Sequence, residues 1–312
     1  MNDKRIILEQ ANLEVAKNER VRRRSFFGKM GALGLGTAAA AALVSSARAD
    51  APSADDQSGD TAQQIFTAAL IAEDLATTFY YNVLTGPVIM DPSLAGTGGS
   101  ATMTASDGND GNVQYLRAAL AEEIIHANLL RSLLGGTAAA NDPVQTFYLP
   151  AGAFTTLSTF LAVLDALESA FIGAYLNATL EFAQMAADSA NPPVRAHVDH
   201  NGTPYTSAQL EYFAEVAASI MGVEAEHRVL GRVIGNENPA NNLNYEQTDG
   251  LTSVYNGANS AVAALTPFLA PGAGLSPYAL STALAGASAI IVPTMGGIPP
   301  APGAPPTKGK KN

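Results

Sequence analysis

The sequence predicts an all-α fold: four long helices in a bundle, a long crossover connection between the second and third, and a short C-terminal extension. Three observations predict it. Four segments, 61–84, 113–134, 154–188 and 207–235, are rich in Ala and Leu and contain no proline, which would break helices of this length. The stretches between them are rich in Gly, Pro, Ser and Asn, as turns and loops are. No stretch alternates convincingly at strand length, so no sheet is expected.

The elements follow in order. The first helical segment gives way at 85–112 to "TGPVIMDPSLAGTGGSATMTASDGNDGN", read as an irregular loop. After the second, residues 135–153 carry Gly, Pro and Asn-Asp-Pro turn signals. At ~3.3 Å per residue that connection can run the length of a bundle. Residues 191–206, "NPPVRAHVDHNGTPYT", link the third helix to the fourth, which stops at Gly235 before "NENP". Beyond 236 the pattern weakens, and "SAVAALTPFL" and "YALSTALAGASAIIV" read as short apolar pieces packing on the domain. The division is therefore a linker at 50–60, the bundle at 61–236, an extension at 237–294 and a Pro/Gly-rich disordered tail at 295–312.

Residues 1–49 read as an export signal. Basic "RRSFFGK", running from Arg23 to Lys29, precedes an uncharged Gly/Ala-rich run and an A-x-A site, "ARA", at 47–49. The paired arginines before Phe-Phe and Lys resemble the twin-arginine type. Cleavage after Ala49 is expected, giving a periplasmic or secreted protein with no membrane span. The uncharged run barely reaches the ~20 apolar residues a span needs.

Removing that segment sharpens the charge. The whole chain carries a formal charge of −11; residues 50–312 hold eight bases against 24 acids, and no lysine occurs between Lys29 and Lys308. No basic stripe exists for nucleic acid, so none is expected as a partner. Cysteine is absent, which excludes disulfides and zinc–thiolate sites. Any metal must be held by oxygen and imidazole, and only four histidines exist.

Four glutamates stand out. Glu73, Glu123, Glu168 and Glu224 each fall on a largely apolar helix face, where an unpaired carboxylate is strongly destabilising. A pair of divalent cations would compensate all four. Residues at i and i+3 lie ~5–6 Å apart at Cβ, so Glu123 can share an ion with His126, and Glu224 with His227. Glu226, about 100° round the helix from His227, cannot share its ion. Glu122 is not excluded by geometry, but the matching position in the fourth helix is Val223. Glu123 is therefore assigned, and Glu122 is expected to leave the ions alone.

The halves mirror each other. The first and third segments each carry E-x6-Y (Glu73/Tyr80 and Glu168/Tyr175), and the second and fourth each carry E-x-x-H. The order E…ExxH…E…ExxH is that of ferritin-like di-iron or di-manganese bundles. "FTAALIAEDLATTFYYNVL", "ALESAFIGAYLNA" and "AASIMGVEAEHRVLGRVI" resemble the secreted ferritin-like proteins that include plant desiccation-related proteins, over residues 61–236. The resemblance implies one ion on Glu73, Glu123 and His126 and another on Glu168, Glu224 and His227, with Glu123 and Glu224 bridging. It also implies that the 135–153 connection lets the second and third helices run parallel. Tyr80 and Tyr175 read as core residues or hydrogen-bond partners of the ligands. Asp165, one turn before Glu168, either orients a ligand or is a solvated helix residue. His197 and His200 read as loop residues.

Carboxylate and imidazole ligands suit Fe and Mn. The functional expectation is an exported protein holding two Fe or Mn ions, with oxygen or peroxide as small-molecule substrate, in ferroxidase- or catalase-like chemistry. The twin-arginine route carries folded chains, so metals would be loaded before export. The competing expectation is a desiccation- or stress-related structural protein whose ions only stabilise the bundle. Either reading leaves a homo-oligomer open.

Overall fold

In the computed structural model, residues 60–95, 112–189, 197–237 and 264–291 are described. The expected export signal, the 96–111 stretch and the expected C-terminal tail lie outside them. Four long helices dominate: α1 (Ala62–Thr85), α2 (Asn112–Leu133), α3 (Leu157–Ser189) and α4 (Ser207–Ile234). α1 and α4 open with the same device. Thr61 and Thr206 each accept from the backbone N–H three residues on, and Gln64 and Gln209 reach back to the cap backbone. The stop of α4 differs in detail from the expected glycine. Gly235 keeps a right-handed backbone, and Asn236 takes the left-handed turn at φ 55 while Glu237 N–H closes on Arg232 O.

Helix direction can be read from the core. Phe66 and Leu70 of α1, Leu130 of α2, Phe182 of α3 and Phe213 of α4 belong to one apolar cluster. Leu75 and Phe79 of α1, Leu116 of α2, Phe160 and Leu164 of α3 and Ile234 of α4 belong to the other. The starts of α1 and α4 thus share an end of the bundle with the finishes of α2 and α3. α1 runs antiparallel to α2, α3 antiparallel to α4, and α2 parallel to α3. This is the crossover topology, and it makes the connection after α2 travel the bundle's length.

By length and composition α3 is apolar enough to cross a membrane. Here its Leu164, Leu167, Phe171, Tyr175 and Phe182 fill the bundle core. α3 and α4 approach closely where Gly231 leaves room: a Cβ there would meet Leu164 Cδ2 at 2.7 Å.

Two expectations need correcting. The loop after α1 is not wholly irregular, since Pro87–Met90 and Pro92–Ala95 form helical turns that bury Val88, Ile89 and Leu94. A small sheet is present as well. β1 (Thr146–Pro150), in the crossover, pairs antiparallel with β2 (Leu275–Ala279), in register from Thr146 opposite Ala279 to Pro150 opposite Leu275. Its partners lie far apart in sequence, and neither strand alternates fully in burial. Pro150 and Pro277 fit because each strand of a two-stranded sheet has a free edge. β2 leads into a short α5 (Leu280–Ala287), which packs on α1, and Leu265, Phe268 and Leu280 complete the core at that end. Arg117 of α2 donates to the carbonyl of Ile290, fixing the segment that follows.

Candidate metal centre

Between the two apolar clusters each long helix contributes one glutamate. Glu73, Glu123, Glu168 and Glu224 are 2, 0, 1 and 0 % exposed. Four carboxylates packed in such surroundings repel one another and lack water, so each needs compensation.

The chain supplies part of it. Tyr80 of α1 donates to Glu168 Oε1 of α3 at 2.6 Å, and Tyr175 of α3 donates to Glu73 Oε1 of α1. The two tyrosines thus cross, each steadying the glutamate of the opposite helix. The imidazoles turn Nδ1 inward. His126 Nδ1 lies 3.3 Å from Glu73 Oε2, 3.4 Å from Glu224 Oε1 and 3.8 Å from Glu123 Oε2. His227 Nδ1 lies 3.0 Å from Glu123 Oε1, 3.4 Å from Glu224 Oε2 and 4.0 Å from Glu168 Oε1.

Compensation remains incomplete. Both oxygens of Glu123, both of Glu224, Glu168 Oε2 and His227 Nδ1 are buried without a hydrogen bond of acceptable geometry. Buried polar atoms are normally satisfied, so six such atoms in one layer call for something to bind them. Two groups of ligand atoms result, Glu73, Glu123, His126 and Glu224, and Glu123, Glu168, Glu224 and His227, each with its atoms within 4.8 Å of one another. Groups of this composition can hold metal ions, and Glu123 and Glu224 belong to both.

The proton affinities express the same tension. Burial pushes Glu73 well above the ordinary carboxylate range; His126 opposes this, while Glu123 and Glu224 add to it. Burial likewise raises Glu168, with Glu224 reinforcing it. For the imidazoles burial acts downward, but the carboxylates around them prevail. His126 is raised well above its usual value chiefly by Glu73, and His227 by Glu122 and Glu123. Burial would also raise Glu123, yet the approach of His126 and His227 holds it below its ordinary range. Tyr80 and Tyr175 are raised by burial and by Glu168 and Glu73, so both hydroxyls stay protonated and donate. Without cations, Glu73, Glu168, His126 and His227 all hold protons more tightly than free side chains do.

All six residues singled out from the E…ExxH…E…ExxH pattern meet in this layer, and the two tyrosines touch it. Asp165 does not serve it: Asp165 Oδ1 faces Arg232 Nη2 of α4 at 3.3 Å, an ion pair between α3 and α4. Its side chain is 33 % exposed and lies within reach of Arg232, away from the buried layer that holds Glu168. His200 lies in the turn closed by the Val198–Pro204 bridge and His197 just before it, both outside the two groups. Glu122 is in neither group, as expected, yet it does reach the centre: Glu122 Oε2 lies 2.8 Å from His227 Nε2.

Sequence reasoning missed a second buried constellation beside the first. Arg131 of α2 contacts Asp74 Oδ1 at 2.5 Å through Nη2 and Asp142 Oδ2 at 2.8 Å through Nε, and donates to Asn128 Oδ1. Asp74 adjoins Glu73, and Asp142 stands in the crossover, so Arg131 ties that connection to the ligand-bearing helices. A signal was available in the scarcity of bases. The four arginines among the described residues, Arg117, Arg131, Arg228 and Arg232, are all buried.

Residues 61–190 match the family model of the ferritin-like domain, a span containing α1, α2 and α3 with Glu73, Glu123, His126 and Glu168. The chain carries a ferritin-like domain. The match ends before α4, which supplies Glu224 and His227 and completes the ferritin-like bundle by packing along α3. Neither the curated proteins nor the solved structures compared with the chain include a match.

Proposed function

We propose that the protein is exported and that its ferritin-like domain holds two Fe or Mn ions, which it uses for oxygen or peroxide chemistry in stress protection. The observation that carries the reading is the set of buried, unsatisfied ligand atoms on Glu123, Glu168, Glu224 and His227. One ion would rest on Glu73 and His126 and the other on Glu168 and His227, with Glu123 and Glu224 shared. Bound Fe or Mn would supply the one-electron steps that closed-shell side chains cannot.

The chain's own residues do the rest. Tyr80 and Tyr175 each hold one oxygen of Glu168 or Glu73, which leaves the second oxygen for an ion. The apolar clusters on either side keep bulk water from the layer and strengthen every charge interaction inside it.

The decisive test is metal content followed by activity. Protein produced with Fe and Mn available is expected to hold about two ions per chain, to consume oxygen with Fe(II) or to decompose peroxide. Glu123→Gln removes charge shared by both ions at constant size, and is expected to cut the activity at least ~10-fold while the helical circular dichroism persists. Wild-type protein without metal would sink the proposal. Metal without activity, with Glu123→Gln lowering only the melting temperature, would leave ions that merely brace the bundle.

Export is tested separately. Replacing Arg23 and Arg24 with Lys is expected to leave precursor in the cytoplasm, whereas mature protein outside would remove the twin-arginine assignment.

A further inference from the structure

We infer that the two cation positions are unequal and that Glu122 makes them so: the ion beside His227 is the tightly held one, and the ion beside His126 is the exchangeable one. The inference rests on the proposal that the cluster holds two ions. In most respects the halves are matched. Each position has one glutamate from α1 or α3 steadied by a crossed tyrosine, one inward Nδ1, and a share of Glu123 and Glu224.

The match fails behind the imidazoles. Glu122 Oε2, 2.8 Å from His227 Nε2, accepts the ring proton there. Once an ion takes Nδ1, that contact keeps the remaining ring proton on Nε2, and it raises the ring's strength as a ligand. His126 has no such support. Among the described residues no hydrogen bond reaches its Nε2, and the position that stands to Glu224 as Glu122 stands to Glu123 is Val223. Its side chain is also the more open of the two, 11 % exposed against 5 %. One imidazole is therefore pre-oriented, while no hydrogen bond among the described residues holds the other at Nε2.

Glu122 is itself 45 % exposed, so solvent screens its direct pull on the ion, and orientation of His227 is the larger effect. Glu122 is thus a positioning residue, acting through His227. Partners of this kind alter metal affinity by roughly 10–100-fold.

The test uses Co(II) as a probe on metal-free mature protein. Titration against a competing chelator should show two steps separated by about 10–100-fold, and crystals with one equivalent should carry anomalous density beside His227. Glu122→Ala, at a half-exposed site that folding does not require, should weaken the tighter step by about that factor and merge the two. Glu122→Gln, which keeps an acceptor but no charge, should fall between. Equal wild-type affinities, first-equivalent density beside His126, or a Glu122→Ala effect spread evenly over both steps would overturn the inference and leave the metal site standing. Wild-type protein that takes up no Co(II) would overturn both.

Discussion

Loading the metal-free protein with two divalent ions is expected to release protons. Glu73, Glu168, His126 and His227 are all shifted upward, so the metal-free cluster keeps protons on these groups to higher pH than free side chains would. Two divalent cations bring the charge that those protons carried, and a ligand must be deprotonated to bind. The sign for stability follows. With four raised groups the folded, metal-free chain binds more protons than the unfolded chain, so its stability declines as pH rises from the unfolded values through the raised ones. Glu123, held low, works in the opposite sense: its contribution is present above the ordinary glutamate value of 4.5 and is lost as pH falls through the depressed one. It therefore changes little across neutrality. Metal-loaded protein has no such protons to lose, so the gap in melting temperature between loaded and metal-free forms should widen as pH rises above the ordinary carboxylate and imidazole values. Calorimetry in buffers of different ionisation enthalpy measures the release directly. A release near zero would mean that the ions bind elsewhere.

Arg131→Met is expected to destabilise the fold by about 3–5 kcal/mol, a fall of roughly 10 °C in melting temperature. The change keeps an apolar stem of similar length but strands Asp74 and Asp142, which are 1 and 5 % exposed. Burial pushes Asp74 upward; Arg131 pulls it back and Asp142 adds to the rise, leaving it at about 8. As an acid raised from 3.8 to about 8, Asp74 contributes stability that is full below the first value and lost as pH rises through the second. Combining Arg131→Met with Asp74→Asn and Asp142→Asn should recover much of the loss, because a neutral cluster no longer holds a stranded charge. A single variant within 1 kcal/mol of wild type, an amount typical of exposed pairs, would show that Arg131 does not anchor the crossover.

The four helices and the six clustered residues were legible because their information is local. Spacing of three along a helix places Glu123 with His126 and Glu224 with His227 whatever surrounds them. An acid on an apolar face similarly announces a buried carboxylate before any partner is known. Helix ends were legible to within a few residues for the same reason. The largest discrepancy is the start of α3, which begins at Leu157 instead of near Phe154 because Ala151–Phe154 forms a separate tight turn.

Only the tertiary structure decided what lies across the gap between elements. Tyr80 steadies Glu168 rather than Glu73 of its own helix, because α1 and α3 run antiparallel with their motifs side by side. Asp165 turned to Arg232, Arg131 gathered Asp74 with Asp142, and two proline-containing strands more than a hundred residues apart found one register. Glu122 carried no local sign of its partner, since His227 lies on another helix and the contact exists only once α2 and α4 pack. Sequence spacing fixes which side chains share a helix face; packing alone chooses which face each one meets.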